Sequence, residues 1–249
     1  MRRPAHLVLP AAGYVGFIAV FGWTVLFLAG AGVPRTIDGP TRTSTPGAVA
    51  VDLALLLLFA AQHSVMARRP VKAWLRRWVP AGLVRTTYVL ATDVCLLLLL
   101  LLWQPWDQQV WSVHGLVELV LWALCAAGWV LAAAATFAVD HLELVGLRQA
   151  GWAPARNAGG LHDGGLHALV RHPLMTGLLL AFWATPRMSA PHLLFAAAST
   201  AYVVVGVRFE ERDLRRTFGP AYDDYAARVP ALVPGLGPRL RLARPRVSR

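Results

Sequence analysis

Apolar residues are concentrated in long runs separated by polar and charged stretches. A transmembrane helix needs about twenty consecutive, mostly apolar residues. Four runs are close to or above this length and hold at most one charged residue each: Leu7–Val33, Gly47–Ala67, Thr86–Trp103 and Leu119–Val139. Two shorter runs follow, Leu174–Pro186 and Pro191–Val207. The pattern predicts an all-α integral membrane protein with four full transmembrane helices, a short C-terminal helical hairpin, and a cytoplasmic amphipathic tail helix from about Arg208.

The chain is expected to form a single membrane domain over residues 1–249. Its parts would be the four transmembrane helices over 1–139, a polar loop, hairpin and tail helix over 140–230, and a basic, flexible tail over 231–249. A further short helix is predicted over Ala221–Val229, because Pro230 would end it.

The first apolar run could also be a secretory signal, since Arg2 and Arg3 precede it. The apolar region of such signals is about 7–15 residues long, much shorter than Leu7–Val33. We therefore interpret the run as a retained first helix.

Composition supports the membrane class, because 57% of the residues are hydrophobic and only 15% are charged, against about 25% charged in soluble domains. The net charge of +11 could suggest nucleic-acid binding, but the charges alternate between loops. Six basic residues and no acid lie in 68–85, and ten arginines against five acids lie beyond 207, whereas 34–46 and 104–115 hold two basic residues and none. By the positive-inside rule this predicts a multi-pass protein of the cytoplasmic (inner) membrane with both termini in the cytoplasm. The expected partner is the lipid bilayer, with no nucleic acid.

The two cysteines, Cys95 and Cys125, both lie inside apolar runs, so neither a disulfide framework nor a zinc site is indicated. Three histidines of the polar region, His162, His167 and His172, lack a metal-ligand spacing on one helix. No metal is therefore expected.

Arg171, His172 and Pro173 stand directly before an apolar run too short to cross a bilayer. Proline suits the first turn of a helix, and the free N–H groups there favour an anion such as a carboxylate. Arg171 could equally meet a lipid phosphate. Because exposed backbone ends are not tolerated in lipid, the short helix is expected to form the wall of a cytoplasm-facing cavity.

Glu210 and Glu211 follow the second arm of the hairpin. A hairpin brings its two ends together, so these carboxylates are expected to converge with Arg171 and to bind an ammonium or ribose hydroxyls. The alternative is a solvated helix in which Glu211 pairs with Arg215 one turn away.

Asp140 and His141 follow the fourth span and could act as a base, or could simply mark a helix end that reaches water. His63 lies at the predicted cytoplasmic end of the second span. A lone histidine there often has no function beyond placing its polar ring atoms in the membrane interface. Asp52 and Asp93 are acids within spans and are functional candidates because such groups are costly in lipid.

The motifs "VRHP", "EERDL" and "FGPAYDDYAARVP" resemble the C-terminal signature of isoprenylcysteine carboxyl methyltransferases. Nearly the whole chain, including "AQHSVMARRPVKAWLRRWVP" and "DHLELVGLRQ", is similar to the methanethiol S-methyltransferase family. The resemblance implies an integral membrane enzyme that uses S-adenosylmethionine and converts methanethiol to dimethyl sulfide, with hydrogen sulfide as a further acceptor.

The same resemblance implies roles for particular residues. The cofactor would be held, within 140–230, by Arg171, His172, Pro173, Glu210, Glu211, Tyr222 and Tyr225. Apart from the resemblance, the chemistry suggests a base, because the thiolate is the nucleophile; we expect His141, oriented by Asp140, to take the thiol proton. We expect the small thiol to bind beside an apolar wall with Phe182 and Trp183, and beside His63. Two alternatives stay open: methylation of a prenylcysteine carboxylate or lipid amine, and a non-catalytic membrane protein of the same fold. The oligomeric state stays open as well.

Overall fold

The computed structural model describes residues 5–152 and 160–235, which are mostly helical. In chain order the helices are α1 (Ala5–Ala29), α2 (Thr45–Ala67), α3 (Arg69–Leu75), α4 (Val84–Leu102), α5 (Leu116–Val139), α6 (His141–Leu144), α7 (Pro173–Trp183), α8 (Ala190–Phe218) and α9 (Pro220–Arg228). Single 3₁₀ turns cover Ala81–Leu83 and Gly165–Ala168, and two short strands are β1 (Gln109–Ser112) and β2 (Arg187–Ser189).

Five of these helices are long and apolar enough to cross a membrane, which confirms the helical membrane fold. The candidate spans are Val8–Ala29, Thr45–Ala67, Ala81–Leu102, Leu116–Ala138 and Ala190–Phe218. The fifth corrects the prediction, because the second arm of the hairpin and the tail helix are one continuous helix of 29 residues. The change from apolar to charged residues at Arg208 does not end the helix; it ends at Gly219, which has φ of 54°.

The short arm of the hairpin has the predicted length, with α7 spanning 11 residues from Pro173 at its first turn. It packs backbone to backbone against α5. A Cβ on Gly128 would lie 2.6 Å from the Ala181 nitrogen, and a Cβ on Gly177 would lie 2.6 Å from the Ala132 nitrogen. Two Gly-x-x-x-Ala pairs thus let the helices approach closely, as small residues do in membranes.

Strands β1 and β2 pair antiparallel at the end of α7 farthest from His172, with Ser112 opposite Arg187. This pair was not predicted, because each strand is shorter than five residues and its partner lies far away in sequence. The pair joins the loop before α5 to the hairpin turn.

The apolar core lies between α1, α2, α4, α5, α7 and α8, and includes Phe27, Leu99, Trp103, Trp129 and Phe195. The buried acids of the spans differ in their contacts. Asp52 accepts a hydrogen bond of 2.9 Å from the Gln104 N–H just beyond α4, which is a structural role. Asp93 is buried on α4 against Gly16 of α1.

The polar segment between α5 and α7 is irregular in its described parts, apart from α6 and one 3₁₀ turn, as its glycines predict. It docks on the start of α4, since a Cβ on Gly146 would lie 2.9 Å from the Thr86 nitrogen. Helix α9 agrees with the predicted short helix. The predicted basic, flexible tail lies outside the described residues from 236 onward, as does 153–159 of the polar loop.

Candidate functional site

A cavity of about 620 Å³ opens where α7 begins, a volume within the usual range for small-molecule sites. Its lining comes from α3, the start of α4, the polar segment, and the ends of α8 and α9. The two basic segments of the chain, 68–85 and the end of α8 from Arg208, meet at this point, so we call it the basic end of the molecule.

The predicted convergence of the cation with the acidic pair is confirmed. Arg171 Nε donates a hydrogen bond of 2.8 Å to Glu211 Oε1. His172 Nδ1 lies 3.4 Å from Glu210 Oε2, and its Nε2 lies 3.4 Å from Glu211 Oε1. Arg171, His172 and Glu210 line the cavity together.

The Arg171 guanidinium is already engaged by its own chain. Besides Glu211, it donates to the carbonyl oxygens of Ala226, at 3.1 Å, and Val229 at the end of α9. Its backbone N–H also donates to the Pro230 carbonyl at 2.8 Å. These contacts indicate a brace that ties α7, α8 and α9 together, with Glu211 occupying the anion position that the sequence suggested for a ligand carboxylate.

Three further cations of the described residues line the cavity: Lys72 in α3, Arg76 directly after α3, and Arg85 in α4. Sequence reasoning did not single them out. The signal was present, because Lys72 and Arg76 are four residues apart in a basic segment and so share a helix face. Burial, together with nearby arginines, lowers the pKa of Lys72. With the carboxylates of Asp140 and Glu143 also in the lining, the cavity carries both signs of charge.

The two tail tyrosines differ in their contacts. The Tyr225 hydroxyl donates a hydrogen bond of 2.6 Å to the His167 carbonyl, and burial raises its pKa to about 12. Tyr222 is 1% exposed and lines the cavity, and burial raises the pKa of its hydroxyl while the nearby Arg171 guanidinium opposes this rise. Within residues 5–152 and 160–235 the hydroxyl makes no hydrogen bond of good geometry. Buried polar groups are nearly always hydrogen-bonded, so this hydroxyl is a candidate contact for a polar ligand in the cavity.

Asp140 and His141 do not form the predicted pair. Asp140, which has a strained φ of 120°, accepts from the Glu143 N–H at 3.1 Å, and Arg148 Nη2 lies 2.8 Å from its Oδ2. The His141 ring is held instead by Thr136, whose Oγ1 is 3.0 Å from Nδ1. Asp140 lines the cavity, whereas His141 faces the aromatic side chains of α1 and α5.

The residues predicted to bind the thiol, Phe182, Trp183 and His63, do not line this cavity. Phe182 packs in the core, with its ring centroid 5.1 Å from that of Phe195, and Trp183 is exposed and donates to Thr200. Both are about ten residues beyond His172, hence roughly 15 Å along α7. His63 lies between helices, with Nε2 2.7 Å from the Tyr88 hydroxyl.

Fold and site together define a multi-pass helical membrane protein with a mixed-charge cavity at its basic end. The chain matches the NnrU protein family over residues 53–228, and it belongs to that family. It is 44% identical to methanethiol S-methyltransferase 2 of Bradyrhizobium diazoefficiens, over 96% of this chain and 93% of the relative. It is 42% identical to methanethiol S-methyltransferase of Mycobacterium tuberculosis, over 94% and 98%. The predicted family resemblance is thereby confirmed.

The comparisons also include Nurim of Homo sapiens, which is 30% identical over 85% of this chain and 91% of the relative. No solved structure matches the chain.

Proposed function

We propose that this protein transfers a methyl group from S-adenosylmethionine to a small thiol, converting methanethiol to dimethyl sulfide, with hydrogen sulfide as a further acceptor. The observation that carries the proposal is the cavity of mixed charge, which is lined by cations, by carboxylates and by the buried Tyr222. The acceptor follows from the relatives named methanethiol S-methyltransferase, which cover nearly the whole chain.

The donor has chemical features that match the cavity. It combines a carboxylate, an ammonium and nucleoside hydroxyls, and bound here it supplies an electrophilic methyl group. Lys72 and Arg76 would hold the carboxylate, and Glu210, whose side chain is 54% exposed, would hold the ammonium or a ribose hydroxyl. The Tyr222 hydroxyl and His172 would complete the polar contacts.

Other predicted donor-binding residues would act through these. Pro173 starts α7 directly behind His172, and Glu211 and Tyr225 fix the surrounding backbone through Arg171 and His167. Positioning is the main demand of such a displacement, because correct alignment of two reactants removes much of the barrier. The hydrogen bonds of Arg171 hold α7, α8 and α9 together and would keep this side of the cavity rigid.

The location suits a volatile acceptor. The cavity lies at the basic end, where α4 and α8 leave the apolar part of the molecule, so an apolar thiol could arrive from the bilayer and a charged donor from water. We propose the cytoplasmic membrane with the basic end in the cytoplasm. Exclusion of larger thiols would depend on sterics, since one methylene changes binding by only roughly 1–3 kcal/mol.

The test uses the purified full-length protein in lipid nanodiscs with S-adenosylmethionine and methanethiol. Dimethyl sulfide in the headspace and S-adenosylhomocysteine in solution should rise together. Glu210→Gln should weaken donor binding, whereas Glu118→Gln, at the opposite end beside Arg187, is the matched control and should not.

The other outcomes separate the alternatives. If S-adenosylhomocysteine forms only on addition of a prenylcysteine or a lipid amine, and no dimethyl sulfide forms, that compound rather than the thiol is the methyl acceptor. No donor binding and no product would contradict the proposal and favour a non-catalytic membrane protein.

A further inference from the structure

His141 lies in an aromatic enclosure at the end of α5. Its ring stacks on Phe137, with centroids 4.2 Å apart and 15° between planes, and it meets the rings of Tyr14 at 5.3 Å and Phe17 at 6.0 Å. The residue is 7% exposed. An imidazole in such surroundings is shielded from water on several sides.

The hydrogen bonds of Thr136 determine which ring nitrogen carries the proton. The Thr136 hydroxyl donates to the Ala133 carbonyl at 2.7 Å, and a hydroxyl has only one proton to donate. In the 3.0 Å contact with His141 Nδ1, this arrangement favours the hydroxyl oxygen as the acceptor. It therefore favours the tautomer in which Nδ1 carries the proton and Nε2 keeps a free electron pair.

This Nε2 atom is buried and has no hydrogen-bond partner within the described ranges 5–152 and 160–235. Buried polar atoms are nearly always paired, so an unpaired acceptor asks for a ligand that donates. Among the described residues, the charged and titratable neighbours of the ring include Asp140, which precedes it and is paired with Arg148, and Tyr14, which faces it from α1. Burial lowers the pKa of His141 and the nearby Asp140 opposes this in part, so burial favours the neutral form of the ring.

We propose that Nε2 of His141 accepts the proton of the thiol, that the rings of Phe137, Tyr14 and Phe17 hold its sulfur, and that Thr136 is the positioning residue for the required tautomer. This inference rests on the proposed function. Sulfur packs well against aromatic rings, and a thiol S–H is the kind of weak donor that would suit Nε2. Asp140, which directly precedes His141 in the chain, lines the cavity, so the cavity wall and the enclosure are one residue apart along the chain.

The proposed transfer moves one proton and one methyl group. The S–H bond breaks and its proton forms a bond to Nε2, giving an imidazolium beside the Asp140 carboxylate. The sulfur electron pair forms the new C–S bond to the transferred methyl group, and the old C–S bond leaves its pair on a neutral thioether. Release of the proton to water returns the neutral ring.

The kinetic test compares His141→Gln, Thr136→Val and Thr136→Ser with wild type across pH. His141→Gln should lower kcat/KM at pH 7 by about 100-fold or more, in line with general-base contributions. The loss should shrink as pH rises, because more thiolate is then present in solution. Thr136→Val should lose about tenfold and Thr136→Ser should recover most of it, whereas binding of S-adenosylhomocysteine should stay unchanged in all three.

A spectroscopic test is independent of turnover. Nitrogen-15 histidine NMR of the protein in nanodiscs, with the His141 signal assigned by its loss in His141→Gln, should show Nδ1 protonated and Nε2 bare. Thr136→Val should mix the tautomers, and Thr136→Ser should not. His114→Gln, an exposed histidine at the opposite end, is the control for both experiments.

The outcomes separate this inference from the function on which it rests. An active wild type whose pH profile is unchanged in His141→Gln, or whose His141 carries its proton on Nε2, would overturn the inference alone. A wild type that binds no donor would overturn the proposed function, and the NMR result would still decide the role of Thr136. If His141→Gln does not fold, the two Thr136 variants carry the test.

Discussion

Two adjacent carboxylates on α8 have very different surroundings. The Glu211 side chain is 12% exposed and is paired with Arg171, whereas the Glu210 side chain is 54% exposed and lines the cavity. A single residue step along the helix therefore separates a structural ion pair from a group available to a ligand. At the scale of residues, function depends on which polar atoms the chain leaves unpaired.

Glutamine substitutions should separate these roles. Glu211→Gln should lower the free energy of unfolding by roughly 3–5 kcal/mol, because it leaves the buried Arg171 charge without its partner. Glu210→Gln should leave thermal stability close to wild type but weaken S-adenosylhomocysteine binding about tenfold, or ~1.4 kcal/mol. Thermal unfolding and isothermal titration in nanodiscs measure both. A larger loss of stability in Glu210→Gln than in Glu211→Gln would reverse the assignment.

The tail tyrosines offer a second matched pair. Tyr222→Phe removes a hydroxyl that makes no hydrogen bond of good geometry within the described chain, so the ligand-free protein should be as stable as wild type or more so. Donor affinity should fall about 2- to 10-fold, the effect of one hydrogen bond of ~0.5–1.5 kcal/mol. Tyr225→Phe breaks the bond to the His167 carbonyl and should lower stability instead. Equal effects of the two substitutions on donor affinity would contradict this distinction.

Helices differ in how far their limits can be inferred from sequence. The start of α7 was predictable, because a proline after Arg171 and His172 marks a first turn. The continuity of α8 was not, because the change from apolar to charged residues at Arg208 marks where lipid contact would end rather than where hydrogen bonding ends. The strand pair β1–β2 depends on contacts between distant segments, which one sequence does not reveal.

Contact between α5 and α7 should be sensitive to a single methyl group. Gly128→Ala would place its Cβ 2.6 Å from the Ala181 backbone nitrogen, so α7 must move away and the wall of the cavity with it. We expect a loss of roughly 1–3 kcal/mol in stability, typical of overpacking, together with weaker donor binding. Gly22→Ala in α1 is the control, since a Cβ there meets no atom within 4 Å and alanine favours the helix. If the two variants unfold at the same temperature, the contact between α5 and α7 at Gly128 has room for a methyl group, and the prediction is wrong.

For the whole molecule, the hydrophobic blocks were sufficient to predict a helical membrane fold, and the predicted hairpin was sufficient to predict the meeting of Arg171 with the acidic pair. It was not predictable that the Arg171 guanidinium is already hydrogen-bonded within the chain, because its carbonyl partners come from the end of α9, far away in sequence. Thr136 was missed for a similar reason: an ordinary threonine within an apolar helix shows its role only when the ring of His141 lies beside it. The sequence thus indicates which polar side chains converge, and the packing determines which of their atoms remain free to bind a ligand.

The proposed orientation of the molecule across the bilayer rests on the same charge distribution and can be tested by cysteine labelling. Helix α8 runs back beside α7, since Glu211 meets Arg171, so the end of α8 lies on the side where α7 begins. Single cysteines in a variant with Cys95 and Cys125 replaced by alanine should therefore label from opposite sides. His114→Cys, before α5, should react with a membrane-impermeant maleimide on intact cells, whereas Arg216→Cys, at the exposed end of α8, should react only after permeabilisation. Labelling of Arg216→Cys on intact cells would place the basic end outside, against the positive-inside rule, and would deny the cavity its cytoplasmic supply of S-adenosylmethionine.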